Sequence, residues 1–393
     1  MRKTLIINSG SSSLKFKLYT MPNYQVDCEG IVDRIGISGS SIVIKMDEKK
    51  IEKDAVINEH KEGIKLMLEL FEENNLIDNK DQITKVGHRV VQGGEVFKES
   101  TKIGEVELAQ IYKLAKLAPL HNKANADGIK VFMDLLPHAI NVAVFDTEFH
   151  QSMPKESFVY AVPYSWYTDH QVRRYGMHGT SHKYIANNVA ELEGNENLKI
   201  INCHLGNGAS LCAIDSGVSI QTSMGLTPLA GVMMGTRSGD IDPSILEYMA
   251  KETGDSIETL TNTLNKESGM LGLSGLSSDF RDIETAIDSG NEQARMAMDV
   301  YVSRIVETIG AYTARLGGLD VINFTGGIGE NGALVRSEVI NKLSFMGMNV
   351  DEDTNYDRSI ELPKVISSLD SKIKVYVIAT DEEYQIASEA EKF

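Results

Sequence analysis

The sequence predicts an α/β protein built from two copies of one domain, each presenting a small-residue hairpin turn to a shared cleft. Three observations predict it. Apolar strand-like runs alternate with segments of helical periodicity along the chain. A strand–turn–strand pattern at Leu5–Tyr19 returns at Ile200–Asp215. The 393 residues also exceed what one ordinary core fills. Ile7 and Ile201 stand 194 positions apart, close to half the chain. Hairpins are common, however, and Ile-Ile-Asn can recur by chance, so on this similarity alone duplication and coincidence both stand.

Taken in order, Leu5–Ser9 and Lys15–Tyr19 read as strands around Gly10-Ser11-Ser12-Ser13. A tight turn of that composition exposes N–H groups and hydroxyls, and with the Lys15 ammonium beside it forms a cup for a phosphate. Further strands are expected at Ser41–Lys45, Asn141–Phe145, Lys199–His204, Ser210–Ile214, Leu319–Thr325 and Lys374–Ala379. Helices are expected at Lys61–Phe71, Val106–Leu117, Ala124–Leu136, Ser244–Lys251, Glu292–Leu316 and Asp381–Lys392.

Composition narrows the function classes. Lys plus Arg number 39 and Asp plus Glu 56, a net charge of −17, so nucleic acid and anionic membranes are repelled at long range. An anionic substrate would need positive charge concentrated locally. Cys28, Cys203 and Cys212 are too few, and odd in number, for a disulfide framework; they fit a reducing compartment. The N-terminus shows no basic region followed by an apolar core, and no apolar run approaches the ~20 residues of a spanning helix. The cytoplasm is the expected location, without nucleic-acid or membrane partners.

Several segments have residue types suited to phosphate chemistry. Asn323–Asn331 carries Gly326-Gly327-Ile328-Gly329 after an apolar strand, where glycines let backbone approach a ligand and a helix start favours an anion. It matches neither the dinucleotide fingerprint nor a P-loop. A flexible strand-to-helix turn is the plain alternative. With the two hairpin turns it points to a nucleoside triphosphate. Gly87–Gly94 ends a strand and places Arg89 in a loop, and Gly235–Gly239 surrounds Arg237 with small residues. Such flanks let a guanidinium fork reach a phosphate or carboxylate, although most loop arginines are solvated charges. His178 and His182 are four apart, but no Cys or carboxylate completes a zinc set nearby. A loop His178 donating to a transferring phosphoryl group is favoured over zinc, and a structural histidine stays open. Asp146 follows an apolar strand, where open α/β sheets place ligands. Asp381-Glu382-Glu383 opens the last helix, either as dipole compensation under a Thr380 cap or as magnesium ligation. Ser277–Asp282 either grips a nucleoside or caps a helix beginning near Ile283.

Together these segments, from Asn8 to Glu383, resemble the acetate kinases of the acetate and sugar kinase/Hsp70/actin group. The most specific are Asn8–Phe16, Val144–Pro154, Arg173–Tyr184, His204–Ser210, Gly225–Pro243, Ser268–Ile283 and Phe324–Asn331, in the family's order. The resemblance implies two duplicated ribonuclease-H-like (actin-like ATPase) domains facing a nucleotide cleft. The first would span 1–150, with the last helix, about 383–393, packing back on it. The second, 151–382, would bind nucleotide and form a homodimer. By position, Asn8 and Glu382 would serve Mg²⁺, or Mn²⁺ in its place, with Lys15 near the phosphates. His204, Leu205, Gly206, Asn207 and Gly208, then Asp279, Phe280 and Arg281, then Gly327, Ile328, Gly329, Glu330 and Asn331 would hold ATP or ADP. Arg89 would bind the substrate carboxylate or its phosphoryl group, and Val91, Leu120, Met177 and Pro228 would line a methyl pocket. Asp146, His178 and Arg237 would be the catalytic set. The family usually has Phe at Met177, His at Gln92 and Pro at Lys123; Met177 touches the pocket and so the chain-length preference.

The reaction so implied is ATP + acetate ⇌ ADP + acetyl phosphate. Its nucleophile is already ionised near neutral pH, since carboxyl pKa values lie at about 4. Asp146 is therefore expected to orient an arginine or a metal-bound water, not to act as a base. Propionate or butyrate kinases share the fold. Actin- or Hsp70-like ATPases, which bind protein partners, would lack the acid pocket. A sugar kinase would need a base for its acceptor hydroxyl.

Overall fold

A computed structural model describes every residue of the chain except Glu48 and Leu120. The chain divides into two compact units, Met1–Gln151 with Asp381–Phe393, and Ser152–Thr380.

The first unit is built on an eight-stranded sheet. Its strands are β1 (Lys3–Ser9), β2 (Leu14–Thr20), β3 (Gln25–Asp33), β4 (Ser41–Lys45), β5 (Lys50–Asp54), β6 (Ile83–Val90), β7 (Thr101–Lys102) and β8 (Ile140–Phe145), in the spatial order 5-4-3-2-1-6-8-7. Strand β1 pairs antiparallel with β2 and parallel with β6, which pairs parallel with β8. Successive side chains of a strand face opposite sides, and β1 uses both. Leu5 and Ile7 join Phe71 and Phe132, from helices His60–Glu73 and Asn122–Leu135. Ile6 faces the other way, onto Ile386, Ala387 and Ala390 of the C-terminal helix Glu382–Ala390. A side chain on Gly87 would collide with Ile386 and Ile6, so a glycine lets that helix lie close on the sheet.

The second unit repeats the scheme. Strands β9 (Lys199–Leu205), β10 (Ala209–Asp215), β11 (Val218–Thr222), β12 (Val321–Thr325), β13 (Lys364–Val365) and β14 (Lys374–Val377) form a sheet in the order 11-10-9-12-14-13. Strand β9 pairs antiparallel with β10 and parallel with β12, and β12 parallel with β14. The helix Glu292–Leu316 lays Met298, Tyr301, Val302, Ile305 and Ile309 on Ile201, Cys203, Leu211 and Ala213.

The runs 3-2-1-6-8 and 11-10-9-12-14 thus share order and direction, and the domain is duplicated. The repeat has a different register from the one the Ile-Ile-Asn triplets suggest. Lys3–Ser9 corresponds to Lys199–Leu205, 196 positions on, not 194. The seat of Asn8, paired with Lys15, is therefore that of His204, paired with Ser210. A shift of two leaves every side chain on the same face.

Three local expectations change. Arg89 lies within strand β6, not in a loop. The last helix is capped by Asp381, whose side chain accepts the Tyr384 N–H, rather than by Thr380. The helix after Ser277 begins at Phe280, with Asp279 as its cap.

Candidate active site

In the first unit, β6 and β8 run parallel and end together, so Asp146 follows β8 beside the end of β6, its N–H donating to Val90 O. The Arg89 guanidinium meets it fork to fork: Nε donates to Oδ1 and Nη2 to Oδ2, both at 2.8 Å. Glu382 is 3.8 Å from Arg89 Nε. Asp146 holds the Arg89 pKa above its ordinary value. Burial pushes Glu382 up from the ordinary carboxyl range, against the pull of Arg89 and with the push of Asp146 and Glu383. Lys15, exposed at the start of β2, is within electrostatic reach of Glu382 and pairs across the hairpin with Asn8. The structure so gathers Asn8, Lys15, Arg89, Asp146 and Glu382 at one edge of the first unit.

Asparagines of helix Asn122–Leu135 fix the surrounding loops. Asn125 donates to Ser9 O and accepts from Val91 N, and Asn122 exchanges two bonds with the Gln92 backbone. Val91 is half-buried and its neighbour Gln92 wholly buried, with Oε1 taking Gly94 N–H. Lys123 is exposed and paired with Asp127. Leu120 lies outside the described residues. The turn itself is closed by Gly10 N–H to Ser13 O, and His60 holds Gly10 O at 2.8 Å.

In the second unit His178 caps helix Gly179–Glu193 in the left-handed region, at φ 59°. That conformation is costly for a residue other than glycine, and such outliers cluster at functional sites. The imidazole is held on two sides. Its Nδ1 is 2.9 Å from Ser210 Oγ, and its face lies 4.2 Å from the His204 ring. His204 in turn meets Ser181 Oγ, which meets Thr380 Oγ1. Arg237 sits nearby, with Nη1 on Pro228 O at 3.2 Å. It forms no ion pair among the described residues, and burial pulls its pKa down. A Cβ on Gly208 would stand 3.2 Å from Arg237 Nη1 and 3.7 Å from His178 Nε2. A guanidinium without a counter-ion and an imidazole nitrogen thus flank one bare backbone turn, a ready place for an anion.

The turn His204–Gly208 lies beside Thr325–Asn331, because β9 and β12 are parallel and His204 is opposite Thr325. Gly206 N–H bonds Gly208 O, and Asn207 O takes Gly235 N–H. Gly327 leaves open space where a side chain would stand. Glu330 turns inward, with Oε1 accepting Gly326 N–H. Leu205 and Phe280 face the core, the latter against Tyr301, whereas Asp279 and Arg281 are an exposed pair. Met177 is 4% exposed and belongs to the hydrophobic core of this unit.

Residues not picked out by the sequence complete the site. Arg336, 2% exposed, donates to Gly329 O and Glu330 O and to Asn355, holding the glycine segment from beneath. Burial lowers its pKa to about 10. Asn202 and Asn323, side by side on β9 and β12, connect through His182 to Ser210. The available signal was polar residues two apart in apolar strands: Asn202 and His204, Asn323 and Thr325.

Comparison with known proteins agrees along the full length. The Acetokinase family model matches residues 3–388. The chain is 49% identical over 393 residues to acetate kinase 2 of Listeria monocytogenes serotype 4b, covering 100% of this chain and 98% of that one. It is 49% identical to the acetate kinase of Staphylococcus haemolyticus, covering 99% and 98%. Among solved structures, Porphyromonas gingivalis acetate kinase superposes with a TM-score of 0.95 at 42% identity, covering 100% and 99%. A propionate kinase from Francisella tularensis superposes at 0.94 and 39%, covering 100% of both. By family model and by full-length identity alike, this chain belongs to the acetokinase family.

Proposed function

We infer that the chain is an acetate kinase: it passes the terminal phosphoryl group of ATP to acetate, giving acetyl phosphate and ADP, and the reverse. The observation that carries the site reading is the uncompensated Arg237 guanidinium beside His178 over the Gly208 turn. In the transfer, an acetate oxygen attacks the γ-phosphorus. The bond from that phosphorus to the β,γ-bridging oxygen breaks, and its electron pair leaves with ADP. No proton need be taken from the nucleophile, so catalysis is positioning and charge stabilisation.

Arg89 binds the acetate carboxylate or the phosphoryl oxygens, and Asp146 aims its guanidinium. Arg237 and His178 Nε2 stabilise charge on the transferred group. The turn His204–Gly208, Gly327–Asn331 and Asp279–Arg281 hold the nucleotide, chiefly through backbone N–H groups where side chains turn inward. Lys15 meets the phosphates. Val91 and Pro228 meet the methyl group, and Met177 shapes that place from the core. The carboxylate of Glu382, raised by burial among other acids, and the Asn8 amide are oxygen donors suited to Mg²⁺, which takes one or two protein ligands plus substrate phosphates. When bound, Mg²⁺ neutralises charge on the phosphates. A homodimer formed mainly through the second unit, and a cytoplasmic location, belong to the same proposal. No helix among the described residues is long and apolar enough to cross a membrane.

The test is ADP release with acetate, propionate, butyrate and glycerol as acceptors. Acetate-dependent ADP formation is expected. A rate indifferent to carboxylate would favour an ATPase with a protein partner, and a preference for glycerol a sugar kinase.

A further inference from the structure

We propose that Asn323, Asn202, His182 and Ser210 are positioning residues that form a one-way hydrogen-bonded chain, fixing His178 as the tautomer protonated at Nε2. The proposal rests on the phosphoryl-stabilising role given to His178 above.

The chain is continuous and its direction follows from the donors. Asn323 Nδ2 donates to Asn202 Oδ1 at 2.8 Å. Asn202 therefore presents its own Nδ2 to His182 Nδ1, also at 2.8 Å. An amide nitrogen only donates, so His182 Nδ1 must accept and Nε2 must carry the hydrogen. That Nε2 is 2.8 Å from Ser210 Oγ and donates to it. The Ser210 hydroxyl accepts there, and because it is wholly buried its own hydrogen needs an acceptor; His178 Nδ1, at 2.9 Å, is the side-chain partner among the described residues that can supply one. A neutral imidazole that accepts at Nδ1 holds its proton at Nε2. That is the nitrogen beside Gly208 and Arg237.

Burial makes the arrangement selective. Asn202, Asn323, His182 and Ser210 are each 0% exposed. Water cannot substitute for a missing link, and an opposed donor pair would be left facing donor to donor. The His204 ring packed on His178 restrains the half-turn of the imidazole that would put ring carbons where its two nitrogens stand. No member of the chain bears a formal charge in this state, so His178 is oriented without negative charge being added beside the place for an anionic phosphoryl group.

The test uses the intact enzyme labelled with ¹⁵N at histidine, with His178 assigned by its disappearance in His178→Gln. Long-range ¹H–¹⁵N spectra should show His178 protonated at Nε2 and bare at Nδ1. Ser210→Ala removes the central link: His178 should become a tautomer mixture and kcat should fall about 10- to 100-fold, with both KM values within about twofold. Asn202→Asp places an acceptor against His182 Nδ1 and should reverse the bonds from His182 through Ser210 to His178, while Asn323 goes on donating to the new carboxylate, giving His178 protonated at Nδ1 and a lower kcat. Should Asn202→Asp fail to fold, Ser210→Ala decides. His178 protonated at Nδ1 in the wild type, or an unchanged kcat in Ser210→Ala, overturns the proposal. Normal turnover by His178→Gln would instead overturn the role of His178 itself.

Discussion

Arg89 and Asp146 share two hydrogen bonds of 2.8 Å, and the carboxylate that clasps the guanidinium is only 2% exposed while the guanidinium is 24% exposed. The buried partner fixes the fork and the open edge is left for a ligand. Asp146→Asn keeps the volume but one oxygen fewer. Acetate kcat/KM should fall about 100-fold, the usual scale of a mispositioned catalytic group. Steady-state kinetics check this; unaltered kinetics would mean that Arg89 needs no clasp.

Glu382 offers a pH test. Its folded pKa is raised, chiefly by burial. A raised carboxyl contributes stability that is full below the unfolded value, about 4.3, and is lost as pH rises through the folded value. Glu382→Gln has no charge to bury, so it should melt above the wild type near neutral pH, by on the order of 1 °C, with the gain vanishing near pH 4. Activity should drop, and Mg²⁺ with ADP should raise the melting point of the wild type more than that of the variant. A variant that melts lower at neutral pH would contradict this.

Arg237 has no ion-pair partner among the described residues, and burial disfavours its charge. Arg237→Ala should therefore leave stability within about 1 kcal/mol of wild type. Its kcat should fall about 10³-fold or more, the scale of an arginine serving phosphoryl transfer. Arg237→Lys should rescue poorly, because a point charge does not reproduce the fork. Near-normal turnover by a folded Arg237→Ala enzyme would remove it from the catalytic set.

Arg336 offers a test that tells nucleotide binding from acid binding. It bonds Gly329 O and Glu330 O without touching the Arg89 cluster. Arg336→Met should raise KM for ATP about tenfold through the loosened glycine segment, leaving KM for acetate unchanged. Equal shifts in both constants would indicate a general loss of structure.

Acceptor length is the remaining test. Each added methylene in a tight apolar pocket costs about 1–3 kcal/mol. Acetate should outpace propionate, and butyrate should be poor. Equal turnover of acetate and butyrate would refute the pocket.

Much of this was legible in the chain because β1, β9, β12 and β14 are apolar runs bounded by small residues. Strands β3 and β5 were not, because they expose polar residues on both faces, which erases the alternation. Arg89 reads as a loop residue because Gly93-Gly94 follow closely, yet the strand continues to Val90. Met177 precedes His178, and only the left-handed turn at His178 shows that the two side chains part, one into the core and one toward Gly208. The chain through Ser210 was hidden because its members lie 20 to 121 positions apart and meet only in the folded second unit.

The shared seat of Asn8 and His204 has a consequence for the origin of the enzyme. A single ancestral domain, assembled with its own copy, would have set identical groups at both seats. One amide and one imidazole show that the two halves of this single chain have drifted apart. Joining the copies in one chain let the two seats take different chemistry, an amide at one and an imidazole at the other, while each kept the same place in its own sheet.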